Sequence, residues 1–283
     1  VEMKALTQSV LAAAMLVAFP FAAAEACSKN AWLGNPSAAA GALASGPELP
    51  AGNANKIARY SGKCAIRTSA GQFVTDNTPN AEGTYRARFY VYTGNGNGKF
   101  FSATAGEDAS GAEVVGISFN GSAFSFSGPT GVATVPGVAN RWYSIEFVKE
   151  PGGAFSASVQ GNGATTATTV TGTGATGTVS SAALGFIGVG TGAFLADEFE
   201  STRSATTAIG RKCRGNAVAT DTIINIQDRI AINNEILGQT AGTGVASGQP
   251  DINEDGVISI QDRIQVNAII TGGQGGSFCG GVN

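Results

Sequence analysis

Residues 84–92 read Thr-Tyr-Arg-Ala-Arg-Phe-Tyr-Val-Tyr, and side chains of different character alternate along this stretch. A period of two predicts a β-strand, because successive side chains of a strand point to opposite faces of its sheet. One face is predicted to be core, and the other, polar and aromatic, is predicted to meet water or a ligand. The two faces carry Tyr85, Ala87, Phe89 and Val91, and Arg86, Arg88, Tyr90 and Tyr92, respectively.

Short segments of the same kind continue to about residue 204, separated by turns such as Gly94-Asn95-Gly96-Asn97-Gly98. With no convincing helix among them, they predict a mainly β fold, a β-sandwich or jelly roll. The small-residue run from Gly161 to Ser181 is predicted to form an edge hairpin rather than a flexible linker. The further predicted strands are Ile57–Arg67, Lys99–Thr104, Val114–Asn120, Ala123–Ser127, Trp142–Val148, Ala154–Val159, Ala183–Gly188 and Ala193–Ser201.

Composition narrows the functional classes. The 283 residues suggest two domains, and they include no histidine, which excludes histidine-based triads, histidine-ligated zinc and imidazole acid–base chemistry. Charged residues are 13%, about half the usual share, and 41 residues are glycine. The net charge of −3 offers no basic face, so nucleic acid is not an expected partner.

The first 26 residues have the pattern of a signal peptide. Lys4 precedes a nearly unbroken apolar run from Ala5 to Ala24, and Ala24-Glu25-Ala26 has the form of a cleavage site. A retained membrane anchor and a lipid-modified Cys27 are the alternatives. The rest of the chain has no segment apolar enough to span a membrane. We therefore expect a secreted, extracellular or cell-surface protein of bacterial type, with no membrane span after cleavage.

Export to an oxidising compartment makes the four cysteines candidates for disulfides, and four cysteines can pair in three ways. Their positions favour two local bridges, Cys27–Cys64 and Cys213–Cys279. The second would close a loop of 66 residues around a C-terminal segment.

That segment contains a twelve-residue pattern typical of a calcium loop, from Asp251 to Asp262. Oxygen side chains stand at positions 1, 3, 5, 9 and 12, position 6 is Gly256, and a main-chain carbonyl would add a ligand at position 7. The alternative is a plain Asp/Asn turn that caps a helix. The predicted Ca²⁺ ligands are Asp251, Asn253, Asp255, Val257, Ser259 and Asp262.

An internal repeat supports this interpretation. Residues 224–238 align with residues 258–272 at an offset of 34, with 9 of 15 positions identical. Each copy predicts a helix that follows a loop, stopped by Gly238 or Gly272. The apolar stripes predicted to pack the two helices together are Ile226, Ile230 and Ile236/Leu237, and Ile260, Ile264 and Ile270.

The loop of the first repeat lacks most of the pattern. Its positions 1 and 3 are Ala217 and Ala219, and its position 6 is Thr222. We therefore predict one strong calcium site and a weak or absent second one. The remaining possible ligands of the second site are Asp221, the Ile223 carbonyl, Asn225 and Asp228.

Two family resemblances follow from these residues. The duplicated calcium loop with its exit helix resembles type I dockerin domains, secreted modules that dock onto cohesin receptors. Segments 85–91, 141–147, 185–188 and 194–200 resemble concanavalin A-like, laminin G-like jelly rolls. The resemblances imply a jelly roll over 27–204, a linker at 205–212, a dockerin-like module at 213–279 and a tail at 280–283. In dockerins, exposed residues around loop positions 10 and 11, here Ile226-Gln227 and Ile260-Gln261, make the cohesin contact.

The expected function is non-catalytic binding of a polysaccharide or cell-surface glycan, with docking onto a cohesin-type partner. The rings proposed to stack on sugars are Tyr90, Tyr92 and Trp142, although sandwich aromatics often face the core. One alternative is a polysaccharide-degrading glycoside hydrolase or lyase using Glu198 and Glu200, which alternate along one strand; a solvated edge strand would also explain them. The other is a structural or adhesive surface protein.

Overall fold

Thirteen strands form two antiparallel sheets packed face to face in the part of the chain described by the structure, a computed structural model. That part is residues 59–279 without 63, 108–109, 219–220 and 238–247, together with the strand Leu43–Ser45. The predicted mainly β jelly-roll sandwich, followed by a small helical part, is confirmed. The predicted signal peptide, Cys27 with its predicted bridge to Cys64, the predicted strand start at Ile57, Ala219, Gly238 and the predicted tail lie outside the described residues.

One sheet has seven strands in the order β1-β2-β13-β4-β9-β10-β11, and the other has six in the order β3-β12-β5-β6-β7-β8. The strands are β1 (Leu43–Ser45), β2 (Cys64–Ser69), β3 (Gln72–Asp76), β4 (Tyr85–Tyr92), β5 (Asn97–Thr104), β6 (Glu113–Phe119), β7 (Ala123–Ser127), β8 (Val135–Pro136), β9 (Trp142–Lys149), β10 (Phe155–Gly161), β11 (Thr168–Gly172), β12 (Ser181–Thr191) and β13 (Ala193–Thr202).

The core lies between the sheets and is rich in phenylalanine. The alternation in β4 places Tyr85, Ala87, Phe89 and Val91 in this core, as predicted. The Phe89 ring stacks on Phe101 of the opposite sheet, with ring centroids 5.0 Å apart. Burial of these rings is the main stabilising contribution to the sandwich.

The Gly161–Ser181 run contributes the predicted edge. Among the described strands, β11 of this run pairs with β10 and stands at the end of the seven-stranded sheet. The following strand, β12, belongs to the other sheet, so the run also carries the chain across the sandwich.

The C-terminal module, residues 213–279, contains the helices α1 (Ile226–Ile236), α2 (Ile260–Thr271) and the short α3 (Gly275–Phe278). Both long helices begin with a capping box, formed by Asn225 with Asp228 and by Ser259 with Asp262. The predicted disulfide Cys213–Cys279 is present, with a Cα–Cα distance of 5.2 Å. The bridge therefore ties the two ends of the module together.

The predicted apolar stripes of the helices are largely wrong. Ile226, Ile230, Ile260 and Ile264 are 43–53% exposed. The two helices instead bury Ala231 and Ile232, and Val266 and Ile269, and the loop residues Ile224, Ile252 and Ile258 complete this small core. Only Ile236 and Ile270 of the predicted set pack against it. The reason is that the loops supply apolar side chains to one side of each helix, which leaves the opposite isoleucine row outside.

Candidate metal site and its contacts with the sandwich

The predicted calcium loop, residues 251–262, is a tight turn organised around Asp251. One oxygen of the Asp251 carboxylate accepts the Asp255 N–H at 3.1 Å, and the other accepts the Gly256 N–H at 2.7 Å. Asn253 Oδ1 also accepts from Asp255 N, at 3.0 Å. Gly256 has a φ of +80°, a conformation that position 6 requires and that glycine adopts without strain.

The end of the loop is joined to α2 by Asp262. Its Oδ2 accepts the N–H of Ser259 at 2.8 Å, and its Oδ1 accepts the N–H of Asn253 at 3.5 Å. Asp262 thus connects position 12 of the loop with position 3 and with the first turn of the helix.

The donor set fits a hard cation in type. Every predicted ligand offers oxygen, and the carboxyls of Asp251 and Asp262 are buried. Burial raises the pKa of Asp251 well above its usual value, and the neighbouring Asp262 and Asp255 carboxylates raise it further. Burial also raises the pKa of Asp262 to about 6. A bound cation would offset the cost of holding these carboxylates ionised together.

The carboxylates of Asp251, Asp255 and Asp262 do not form a three-carboxylate cluster in the structure. Across the described ranges, no three acidic, cysteine or histidine side chains lie close enough together to hold a metal ion. Oxygens of Asp251, Asn253 and Asp262 accept hydrogen bonds from backbone N–H groups of the loop.

The first loop, residues 217–228, is closed by its own side chains. The Asn225 amide donates to Asp221 Oδ2 at 2.7 Å, and Asp228 accepts from Val218 N at 2.9 Å and Asn225 N at 2.7 Å. Ala217 is completely buried and offers no ligand at position 1. Because an amide nitrogen faces Asp221, these contacts favour the prediction that this loop binds calcium weakly or not at all.

The calcium loop lies directly on the sandwich, through Glu254 at its position 4. This side chain is completely buried and forms an ion pair with Arg211. The Tyr60 hydroxyl donates to Glu254 Oε1 at 3.1 Å, and the Gly163 N–H donates to Oε2 at 3.1 Å. The backbone carbonyl of Glu254 accepts from Trp142 N at 2.9 Å. Loop and sandwich therefore share one polar, buried interface.

The three rings proposed to bind sugar lie under this interface. Trp142 and Tyr90 are completely buried, and Tyr92 is 6% exposed. Tyr60 stacks on Tyr90 with ring centroids 3.6 Å apart. The expectation that this face of β4 meets water or a ligand is wrong, because Tyr60 and the C-terminal module cover it. In this arrangement the three rings cannot reach a glycan.

The segment 205–212, predicted as a linker, is held along the same face. Glu146 accepts the N–H groups of Ile209 at 3.0 Å and Gly210 at 2.9 Å, and it pairs with Arg86 at 2.6 Å. The Tyr90 hydroxyl accepts from Lys212 N at 2.6 Å. The segment is thus part of the interface between sandwich and module.

The two carboxylates proposed for catalysis, Glu198 and Glu200, form ion pairs with different residues. The register of β13 shifts between Asp197 and Glu200, and Glu198 at this irregularity has a φ of +52°. Glu198 pairs with Lys212 at 2.9 Å, whereas Glu200 pairs with Arg88 at 2.9 Å. The strict alternation on which their pairing depended is broken, and both carboxylates are engaged in ion pairs.

Asp197 is the carboxyl with the perturbed environment on this strand. It accepts hydrogen bonds from the backbone N–H groups of Tyr60 at 2.7 Å, Ser61 at 3.1 Å and Glu198 at 2.8 Å. Burial raises its pKa to about 7, and the Glu198 carboxylate adds to the rise. Its contacts anchor the segment that carries Tyr60, so its role here is structural.

The outer surface of the two helices forms a groove of about 520 Å³. The Arg229 guanidinium donates to Asn267 Oδ1 at 3.0 Å, and Arg263 donates to Asn233 Oδ1 at 2.8 Å. The two bonds are reciprocal, because Arg229 and Arg263, and likewise Asn233 and Asn267, occupy equivalent positions of the two repeats. The groove lining is Arg229, Ile230, Asn233, Arg263, Ile264 and Asn267.

Sequence reasoning missed Glu254, Tyr60 and Arg211. Position 4 of a calcium loop carries no ligand, and Arg211 lies in a segment interpreted as a linker. The sequence signal for this contact was Glu254 itself, which stands between two predicted ligands. A glutamate in that position is equally compatible with a solvated side chain.

Fold and site together define a class, a jelly-roll β-sandwich that carries a small helical module with one complete oxygen-donor loop. No protein-family model matches the sequence, and no curated protein matches it either. In the described residues, no helix is both long and apolar enough to cross a membrane.

Several solved structures are similar to the chain. They include the cellulose induced protein Cip1, with 11% identity and a TM-score of 0.39 over 63% of this chain and 94% of that one. Domain 4 of the extracellular arabinanase AbnA from Geobacillus stearothermophilus, in complex with arabinotriose, has 17% identity and a TM-score of 0.30, over 56% and 80%. The receptor-binding domain of botulinum neurotoxin type G has 9% identity and a TM-score of 0.31, over 56% and 42%. At these identities and TM-scores, the similarities carry no conclusion about the ligands of this chain.

Proposed function

We propose that the protein is a secreted, non-catalytic binding protein whose C-terminal module docks, in a calcium-dependent manner, onto a cohesin-type partner. The sandwich is the part that holds a carbohydrate or another surface. The observation that carries the proposal is the exposed face of α1 and α2, where equivalent residues of the two repeats make reciprocal hydrogen bonds, next to a loop with a complete set of oxygen donors.

The exposed face has the chemistry of a docking surface. Ile230 and Ile264 are 45% and 53% exposed, and Arg229 and Arg263 lie beside them. Among the described residues, neither arginine pairs with a carboxylate. Each donates a hydrogen bond to an asparagine instead. Apolar side chains flanked by available cations suit a partner surface that is apolar at its centre and acidic around it.

Calcium has a defined role in this proposal. Position 12 of the loop, Asp262, is also the N3 residue of the capping box at the start of α2, in which Ser259 is the N-cap. Ion binding would fix the start of this helix and with it the positions of Ile260, Arg263 and Ile264. Because these side chains would be ordered before the partner arrives, less conformational entropy would be lost on docking.

The glycan-binding part of the proposal is suggested by the fold class. We expect its site outside the face that the module covers, because Tyr90, Tyr92 and Trp142 on that face are buried. Export is supported by the Cys213–Cys279 disulfide, since such bonds persist in oxidising compartments.

The docking test uses the full chain and a panel of immobilised cohesin-type receptors. We expect binding in calcium, loss of binding in a chelator, and loss of binding in the double variant Ile230→Asp with Ile264→Asp. The control is Val189→Asp, which places one aspartate at a 92% exposed residue of β12, away from the helices, and should bind like the wild type. Binding that is absent throughout, or insensitive to both changes, would refute docking.

The carbohydrate test is separate. The wild-type chain and the Ile230→Asp/Ile264→Asp variant should both be retarded on the same polysaccharide in affinity electrophoresis. If no polysaccharide of the panel retards the wild-type chain, carbohydrate binding is refuted, and the docking result is unaffected.

A further inference from the structure

Glu254 occupies an unusual place for a residue of a metal loop. It stands between two predicted ligands, Asn253 and Asp255, yet its side chain points away from them into the sandwich. Its φ of +60° is in the left-handed region, which non-glycine residues adopt rarely. The surrounding contacts must therefore hold it in this conformation.

The contacts of Glu254 come from both parts of the chain. Arg211 pairs with it, and Arg214 Nη1 lies 3.8 Å from its Oε2. From the sandwich, Tyr60 and Gly163 donate to its two carboxylate oxygens. Removing such a buried, fully paired carboxylate leaves two guanidinium groups without their counter-charge, which is costly in a buried site.

A second contact lies two residues further along the loop. Gly256 packs against Tyr92 at the end of β4, so closely that a β-carbon on Gly256 would lie 2.6 Å from Tyr92 Cε2. The loop backbone is thus fixed to the sandwich on both sides of the predicted ligand Asp255.

From this geometry we propose that the sandwich completes the calcium site: docking of the loop through Glu254 and Gly256 positions the ligands, and calcium in turn strengthens docking of the module on the sandwich. Such coupling is reciprocal by thermodynamic linkage. Tyr60, Tyr92 and Glu254 are positioning residues in this scheme, since none of them is a ligand. The inference rests on the proposed calcium binding.

The first test measures calcium affinity of the full chain by titration calorimetry. Tyr92→Ala changes only the sandwich and no charge, and Glu254→Gln removes the shared carboxylate. We expect each to weaken calcium binding by about tenfold or more, since coupling between two sites typically changes affinity by about 5- to 150-fold. The control Glu107→Gln, in the β5–β6 connection of the opposite sheet, should bind like the wild type.

Affinities equal to wild type in both variants would overturn the coupling while leaving calcium binding intact. A wild-type chain that binds no calcium would overturn the proposed function as well. The two failures are therefore distinguishable.

A second measurement needs no variant. Arg211, which is 8% exposed, is a trypsin site that lies buried between the module and the sandwich. In the wild-type chain, cleavage after residue 211 should be slower in calcium than in a chelator. Equal cleavage rates would overturn the coupling even if both variants failed to fold.

Discussion

Gly256 of the calcium loop lies against the ring of Tyr92, and a β-carbon at position 256 would approach Tyr92 Cε2 to 2.6 Å. The same glycine has a φ of +80°. Its replacement therefore combines backbone strain with a steric clash inside the interface.

Gly256→Ala should weaken both folding of the module and calcium binding. The matched control is Gly273→Ala, because Gly273 has a φ of +68° and a β-carbon added there would meet no atom within 4 Å. The control should lose about 1–2 kcal/mol from backbone strain alone. Urea denaturation should show a larger loss for Gly256→Ala, and similar losses in the two variants would contradict the close contact with Tyr92.

The disulfide should be a major source of stability for the module. Opening the 66-residue loop in Cys213→Ser with Cys279→Ser should cost about 4 kcal/mol, because the unfolded chain gains conformational entropy. Denaturation curves of this variant and of the wild type, both without reductant, provide the measurement. Coincident curves would contradict this role.

Asp197 should make stability depend on pH. Its pKa is about 7 in the folded protein against an ordinary value of 3.8, so the folded state binds the proton more tightly. Its contribution to stability is then fully present below about pH 4 and is lost as the pH rises through about 7. Asp197→Asn should remove this part of the decline, as followed by urea denaturation in a chelator between these pH values. Parallel profiles for variant and wild type would contradict the raised pKa.

The first loop should be convertible into a calcium site. In the wild type, Asn225 donates to Asp221 and position 1 is the apolar Ala217. Restoring the pattern with Ala217→Asp, Ala219→Asn and Thr222→Gly should raise the stoichiometry in calorimetry from one calcium ion per chain to two. Two equally tight sites in the wild type would show that the interpretation of this loop is wrong.

Much of the fold follows from local patterns. Alternation in residues 84–92 predicts β4 and its core face, and the repeat predicts α1 and α2 to within two residues at their starts. The pairing of Cys213 with Cys279 follows from their positions at the ends of the repeat. Each of these features depends on neighbours along the chain or on a simple symmetry.

The sequence-based predictions that the structure contradicts share one cause, which is packing between residues far apart in the chain. Periodicity shows that Tyr90 and Tyr92 share a face, but not that Tyr60 and the calcium loop cover that face. It also shows an isoleucine row on each helix, but not that Ile252 and Ile258 from the loops fill the opposite side. Glu254 is the clearest case, since its partners Tyr60 and Arg211 are 194 and 43 residues away in sequence.

The most direct test of the central claim is calcium binding by the full chain, measured by titration calorimetry. We expect one tight site in the wild type, loss of that site in Asp251→Ala with Asp255→Ala, and no change in the first-loop control Asp221→Ala. No calcium binding by the wild type, or undiminished binding by the Asp251/Asp255 double variant, would contradict a calcium-dependent module built on residues 251–262.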